Sequence, residues 1–302
     1  MNVSLDQLQS FVTAAEKGSF SAAARLLGKA QSAISTQISN LEVDLGLMLF
    51  DRSGRQPVLT QAGLRLLPEA RVVLERREHL IGVAHSLEEQ VENKLAVAID
   101  QLYPEHALGT IFSEFAKNFP YVQVEILFPL MEDVGQLVLE GVADLGVMWQ
   151  QDHPQPELAF QAIGYVPLKL VCGRTHPLAH RQVTWEDLKR YRQILVATRG
   201  REQTRQSLRV AADVWWVESH WVILEMVKHN IGWAFVSDHV LAASPTAPDI
   251  VAPNLQFDAG ERLTPLVTVW HKKHPHGPAA QWLRNRLRQG GIPGVTHPSR
   301  EP

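Results

Sequence analysis

Cysteine is nearly absent. Cys172 is the single one in 302 residues, which excludes an internal disulfide and any Cys-rich zinc module and points to a reducing compartment. Long apolar runs are missing as well, and none approaches the ~18 residues a membrane span needs. The opening Met1-Asn2-Val3-Ser4-Leu5-Asp6 has no basic stretch leading into an apolar one, so the expectation is a soluble, cytoplasmic protein with no membrane partner. An excess of either charge is lacking too: 29 basic and 32 acidic residues leave a net charge of -3. No whole-molecule field then draws the protein onto nucleic acid, and any such binding must come from a local patch. Catalytic signatures are also missing. There is no G-x-S-x-G elbow, H-E-x-x-H, Walker loop, G-x-G-x-x-G or C-x-x-C, so the common hydrolase, metalloprotease, nucleotide and redox readings lack their markers.

What is present is globular. The 45% hydrophobic and 20% charged residues exclude a disordered chain, and the length suits two domains at roughly 150 residues each. Leu5, Leu8, Phe11, Val12 and Ala15 form one apolar stripe on a first helix that Gly18 closes. Ser19 caps a second, Phe20 to Leu27, whose Ala22-Ala23-Ala24 lets another helix approach and which Gly28 ends. In a third, Ile34, Ile38, Leu41 and Leu45 share a buried face, Gly46 is the stop, and Gln31, Ser32, Ser35, Thr36 and Ser39 are left outside.

A small hairpin or wing is expected from Leu47 to Thr60. Thr60 then caps a long helix with Leu66, Val73, Leu80 and Leu87 at heptad spacing, beside a second column of Leu67, Leu74 and Ile81. Two apolar columns imply two packing partners, a second copy of the helix and the chain's own N-terminal domain. Pro68 should bend this helix.

From Leu95 the texture becomes α/β. Leu95 to Ile99, Val122 to Phe128 and Leu145 to Trp149 read as buried parallel strands, with helices around Leu108 to Asn118 and Glu132 to Glu140 between them. A second set follows at Leu168 to Cys172, Ile194 to Ala197 and Trp233 to Val236, with the helix His220 to His229 before the last. Leu266 to Val269 and a helix near Ala279 to Gln289 close it. Two α/β lobes are the natural reading, and the Gly/Pro-rich tail past Gly290 is expected to be disordered.

His271, His274 and His276 lie close together and read either as metal ligands or as a solvated loop, given Pro275 and the charge of Lys272 and Lys273. Cys172 is either a small buried residue or a redox thiol. Charge is segregated in the N-terminal part. Lys17, Arg25 and Lys29 stand between Lys17 and Leu41 without an acid, and Arg52, Arg55 and Arg65 do so between Arg52 and Arg65. The third helix is thus framed by positive charge, and its Gln, Ser and Thr face suits a major groove. This describes a winged helix-turn-helix; a three-helix packing module with a merely solvated polar face is the alternative.

The chain resembles a LysR-type transcriptional regulator from about Leu5 to Gln289. The carrying residues are Leu8-Gln9-Ser10-Phe11-Val12, Gly18-Ser19-Phe20-Ser21-Ala22-Ala23-Ala24, Gln31-Ser32-Ala33-Ile34-Ser35-Thr36-Gln37-Ile38, Leu41-Glu42, Leu45-Gly46, Leu49-Phe50-Asp51-Arg52 and Leu59-Thr60-Gln61-Ala62-Gly63. Weaker signposts are Gly141-Val142-Ala143-Asp144-Leu145-Gly146, His176-Pro177-Leu178-Ala179 and Gly232-Trp233-Ala234-Phe235-Val236.

The resemblance implies a winged helix-turn-helix DNA-binding domain at 1–60, a linker and dimerisation helix at 61–91 and an effector-binding domain at 92–290, with a flexible tail at 291–302. The effector half resembles a periplasmic-binding-protein fold of two Rossmann-like lobes, lobe I at about 92–163 and 266–290 and lobe II at about 164–265. A bacterial, non-enzymatic regulator without a cofactor is implied, switched by a small-molecule effector. So is a dimer or tetramer, built through antiparallel linker helices at Leu66, Val73, Leu80 and Leu87, that reads double-stranded DNA carrying an interrupted palindrome. RNA polymerase is a further possible partner.

Gln31, Ser32, Ser35, Thr36 and Gln37 are the expected groove contacts, with Arg52 and Arg55 reaching from the wing and Lys29 a phosphate candidate. Arg25 is either a phosphate contact or a solvated helix residue. The cleft should draw on Asp100, Gln101, Tyr103, Phe128, Pro129, Trp149, Thr198, Arg199, Val236 and Ser237. Thr198 and Arg199 are placed to hold a ligand carboxylate, whereas Asp100, where many relatives carry a neutral residue, suits a cationic or hydroxyl-rich effector. Asp100 has a second reading, a helix N-cap pointing away from the cleft. Two other classes stay open: a transport-type binding protein, which would need a signal peptide, and an α/β enzyme with an accessory DNA-binding module. The effector, the promoter and the sign of regulation are encoded in no motif.

Overall fold

The computed structural model describes residues 2–54, 56–151, 155–196, 208–257 and 262–289, which fall into two compact units, Met1–Glu88 and Glu89–Pro302.

In the first unit α1 (Leu5–Lys17), α2 (Phe20–Leu27) and α3 (Gln31–Leu45) each stop on a glycine in the left-handed region, Gly18, Gly28 and Gly46, where a Cβ would strain the backbone. The starts are set by side chains. Ser4 forms a reciprocal capping box with Gln7, and the Ser19 hydroxyl accepts from the Ala22 amide at 3.1 Å. Ser19→Ala should therefore lower stability by about 1 kcal/mol in urea unfolding followed by circular dichroism; an unchanged midpoint would show the cap to be idle. Ala30 heads α3 and gives it no side-chain cap.

The three helices close over Phe11, Ala14, Ala23, Ile34, Ile38 and Leu41, and the wing adds Leu49 and Phe50. That wing is the antiparallel pair β1 (Phe50–Asp51) and β2 (Val58–Leu59). The Thr60 hydroxyl then accepts from the Gly63 amide at 3.0 Å at the head of α4 (Gln61–Glu88). A Cβ on Gly63 would sit 2.2 Å from the Leu49 carbonyl oxygen, so only glycine allows α4 to lie this close to the wing. The helix passes through Pro68 without a break and spans 28 residues, about 42 Å at 1.5 Å per residue. Leu66, Leu67, Ala70 and Leu74 pack on the three-helix core. Beyond them Val73, Leu80, Ile81 and Leu87 are exposed, Leu80 at 68%.

The second unit begins with β3 (Lys94–Ile99), α5 (Glu105–Asn118), β4 (Gln123–Leu127), α6 (Glu132–Leu139) and β5 (Leu145–Trp149). β3 lies between β4 and β5, parallel to both. β4 is the edge strand, and only its residues 124 and 127 are even half-buried, which corrects the expected buried strand. The next strand, β6 (Leu158–Gly173), is 16 residues long; sequence reading caught only its end. It continues through α7 (Trp185–Arg190), β7 (Gln193–Val196), β8 (Val214–Val217), α8 (His220–Lys228), β9 (Ala234–Ser237), α9 (Asp238–Ala243) and β10 (Ile250–Val251). The chain then returns along β11 (Arg262–His271), and α10 (Pro278–Arg288) ends the described part.

β11 is inserted antiparallel between β5 and β6. One face of this sheet is covered by α5 and α10 through Ile111, Phe115, Leu283 and Leu287, and the other by α6 through Val134 and Val138. The far half of β6 pairs instead with β9 and β10 over the core of a second lobe, Val171, Ile223, Leu224, Val227 and Val236. β6 thus runs through both lobes, and the boundary expected near residue 163 falls inside a continuous strand. Ala197 and the tail past residue 289 lie outside the described residues. Among those residues no helix is long and apolar enough to cross a membrane.

Candidate functional site

Among the described residues, two places gather polar side chains that the packing does not consume. The first is the outer face of α3. Gln31, Ser32 and Thr36 are exposed and Ser35 half-buried, on the side away from Ile34, Ile38 and Leu41, which are fully buried. Gln31 is steadied by the Ser21 hydroxyl, which donates to its Oε1 at 2.8 Å.

Two expected readers are engaged elsewhere. The Ser10 hydroxyl donates to Gln37 Oε1, which ties Gln37 to α1. Arg52 does not reach outward from the wing; its guanidinium donates to Glu42 Oε2 at 2.7 Å and to Ser39 Oγ at 3.2 Å and lies over the Phe20 ring. Glu42, 5% exposed, also accepts from the Leu49 and Phe50 amides at 2.9 and 3.1 Å. This pair fastens the wing to α3. Lys29 pairs with the exposed Asp6 at 3.4 Å, a contact weak enough to give way to phosphate. Arg55 lies outside the described residues.

The second place is where the two lobes of the effector half meet. Gln101, just past β3, accepts at its Oε1 from the His220 amide at the head of α8, 3.4 Å away. The His239 ring lies against the Gln101 backbone, and its Nε2 is 3.3 Å from the Ser237 hydroxyl. Burial pushes His220 down to about 4 and lowers His239 as well, so both rings are neutral near pH 7. Nδ1 of each is buried with no hydrogen-bond partner among the described residues. Neither histidine was expected here, because they stand in the first turns of two different helices of the second lobe and no spacing rule joins them to Gln101.

Of the expected cleft residues, Gln101 and Ser237 meet at this contact. Asp100 does not present its carboxylate to a ligand, and it does not cap α5. It is 1% exposed and both oxygens are taken by backbone, Oδ1 by the Leu102 amide at 2.7 Å and Oδ2 by the Met131 amide. Tyr103 and Val236 are core residues of the first and second lobe. Phe128 is half-exposed beyond the edge strand. Trp149 lines a separate pocket on the α6 face with Gly135, Met148, Leu158 and Phe160. Thr198 and Arg199 lie outside the described residues.

The other candidates are structural. Burial raises the Cys172 thiol to about 11, which removes the thiolate a redox sensor needs. The His271 and His274 rings stack at 4.5 Å, while His276 Nε2 is 3.1 Å from the Asp144 carbonyl oxygen.

Comparison with known proteins matches residues 5–64 to the bacterial regulatory helix-turn-helix protein, lysR family, and residues 88–291 to the LysR substrate binding domain. AceR of Acinetobacter baumannii, an HTH-type transcriptional regulator, is 32% identical over 301 residues, covering 95% of this chain and 97% of that one. MvfR of Pseudomonas aeruginosa, a multiple virulence factor regulator, is 28% identical over 232 residues, 76% of this chain and 69% of that one. Among solved structures, full-length BenM has a TM-score of 0.55 at 20% identity, covering 98% of this chain and 99% of its own. The OxyR C206 mutant of Corynebacterium glutamicum has 0.55 at 22%, over 95% and 93%. With a helix-turn-helix unit, an α/β effector half and both family models in chain order, the protein belongs to the LysR family: it is a DNA-binding transcriptional regulator with an effector-binding domain, not an enzyme.

Proposed function

We propose that α3 reads the major groove through Gln31, Ser32, Ser35 and Thr36, that α4 pairs two copies of the chain, and that a small molecule held between the two effector lobes switches the complex. The observation that carries the reading is the exposed polar face of α3: no carboxylate lies between Lys17 and Leu41, and the one that faces Lys29, Asp6, is exposed and weakly paired, which favours the approach of phosphates. Gln37 and Arg52 act on DNA indirectly in this reading, by fixing α3 to α1 and to the wing. Lys29 supplies charge, and Arg55 remains a candidate for the wing tip.

The exposed Val73, Leu80 and Leu87 on α4 support a dimer, since an apolar stripe this long gains by being covered. Two such dimers would make a tetramer, and two reading helices call for an interrupted palindrome. The domain division follows: DNA binding to residue 60, pairing to about 91, effector sensing to about 290. The site of action is the bacterial cytoplasm, and RNA polymerase is the partner through which bound regulator alters transcription.

Fluorescence anisotropy on the DNA just upstream of this protein's own gene, against scrambled DNA at two salt concentrations, tests the reading. The upstream DNA should bind far more tightly, with affinity falling as salt rises, and Thr36→Ala should narrow the preference by about 1 kcal/mol, several-fold in affinity. Equal binding of both DNAs would remove the basis for α3 as the reader.

A further inference from the structure

The lobe–lobe contact also constrains what the effector can be. The side chains it brings together are Gln101, His220, Ser237 and His239, and none carries a formal charge near pH 7. Two neighbouring acids are committed: both oxygens of Asp100, the residue before Gln101, are held by backbone amides, and Asp238, the residue before His239, is paired with Lys169 at 2.8 Å. His220 is 4% exposed, yet its Nδ1 and that of His239 have no partner among the described residues. A buried ring nitrogen left in this way is costly, and two at one lobe contact are a place where a ligand atom completes the bonding.

We propose that His220 and His239, with Gln101 and Ser237, recognise an uncharged hydroxyl-bearing group on the effector, such as a phenolic or alcoholic OH, in preference to a carboxylate or an ammonium. A hydroxyl both donates and accepts, so it can serve two neutral imidazoles whichever tautomer each adopts. A carboxylate can only accept, and here it would lose its hydration with no cation among these four side chains to offset the loss. An ammonium would likewise meet no carboxylate. The proposal rests on the reading of this cleft as the effector site.

The test uses the full chain and four probes sharing one ring: phenol, anisole, benzoate and benzylammonium. At 10 mM, phenol should raise Tm by about 2–4 °C, as mass action predicts for a fragment with Kd near 1 mM. Anisole, which keeps the ring and an acceptor but lacks the donor hydrogen, should give less than half that shift, and the two ions none. His220→Phe and His239→Phe should abolish the phenol shift, and the probe series in the wild type decides the matter even where a variant folds poorly. The proposal falls if benzoate or benzylammonium stabilises as much as phenol, if anisole matches phenol, or if phenol gives no shift. The underlying reading fails separately: stabilisation by any probe that requires His220 but leaves affinity for the upstream DNA unchanged would mean that the cleft binds without switching.

Discussion

Glu42→Ala should destabilise the DNA-binding unit by about 3 kcal/mol and abolish selective binding to the upstream DNA. The carboxylate is almost wholly buried and satisfies the Leu49 and Phe50 amides together with the Arg52 guanidinium. Removing it leaves two donors in a desolvated turn, each costing on the order of 1–3 kcal/mol, and an arginine whose partner has gone. Arg52 is partly exposed and can recover some hydration, so its share is the smaller. Glu42→Gln should fall between, because one amide oxygen can still accept while the NH2 group faces Arg52. Two signals separate the units: all eight tryptophans, Trp149 to Trp282, lie in the effector half. In urea, the helical dichroism of Glu42→Ala should begin to fall earlier than in the wild type while the tryptophan transition stays in place. Coincident transitions in wild type and variant would show that Glu42 does not hold the wing.

The second large effect is a pH dependence centred on Asp100. Burial raises its carboxyl to about 6, against the two backbone bonds that pull it down. Because the folded value lies above the ordinary 3.8, the native state binds the proton more tightly than the unfolded chain does. Stability is therefore lost as pH rises from about 4 through 6 and levels off above that. The whole shift corresponds to about 3 kcal/mol, of which about 2 kcal/mol is lost between pH 4 and 7.5. Asp100→Asn removes this titration and puts a donor opposite one of the two amides, so it should be less stable at pH 4 and follow a flatter curve. Tryptophan-detected urea melts of both proteins across that range read the effect. If the two curves run parallel, Asp100 is not the titrating group.

The N-terminal unit was readable because its signals are local. Apolar steps of three and four marked the buried faces of α1 and α3, and Ser19, Gly18, Gly28 and Gly46 marked their ends within a few residues of the features they control. The side-chain commitments were not readable. Gln37 and Arg52 look like DNA contacts until the fold brings Ser10 and Glu42 against them.

In the effector half, parallel β3 and β5 announced themselves as apolar runs. The first part of β6 did not, since Gln161, Tyr165 and Pro167 interrupt its pattern. The histidine site was invisible for a plainer reason: His220 and Gln101 are separated by 119 positions, and only the crossing of β6 from one lobe to the other makes them neighbours.

That crossing also orders events in time. The first lobe's sheet is incomplete until β11 fills the gap between β5 and β6, and β11 is made after the whole of the second lobe. The helix-turn-helix unit has its own core, within Met1–Glu88. At 5–20 residues per second, the ribosome takes roughly 10–40 s to go from the end of α4 to the end of β11. For that interval a nascent chain carries a formed DNA reader before it has the cleft that would govern it.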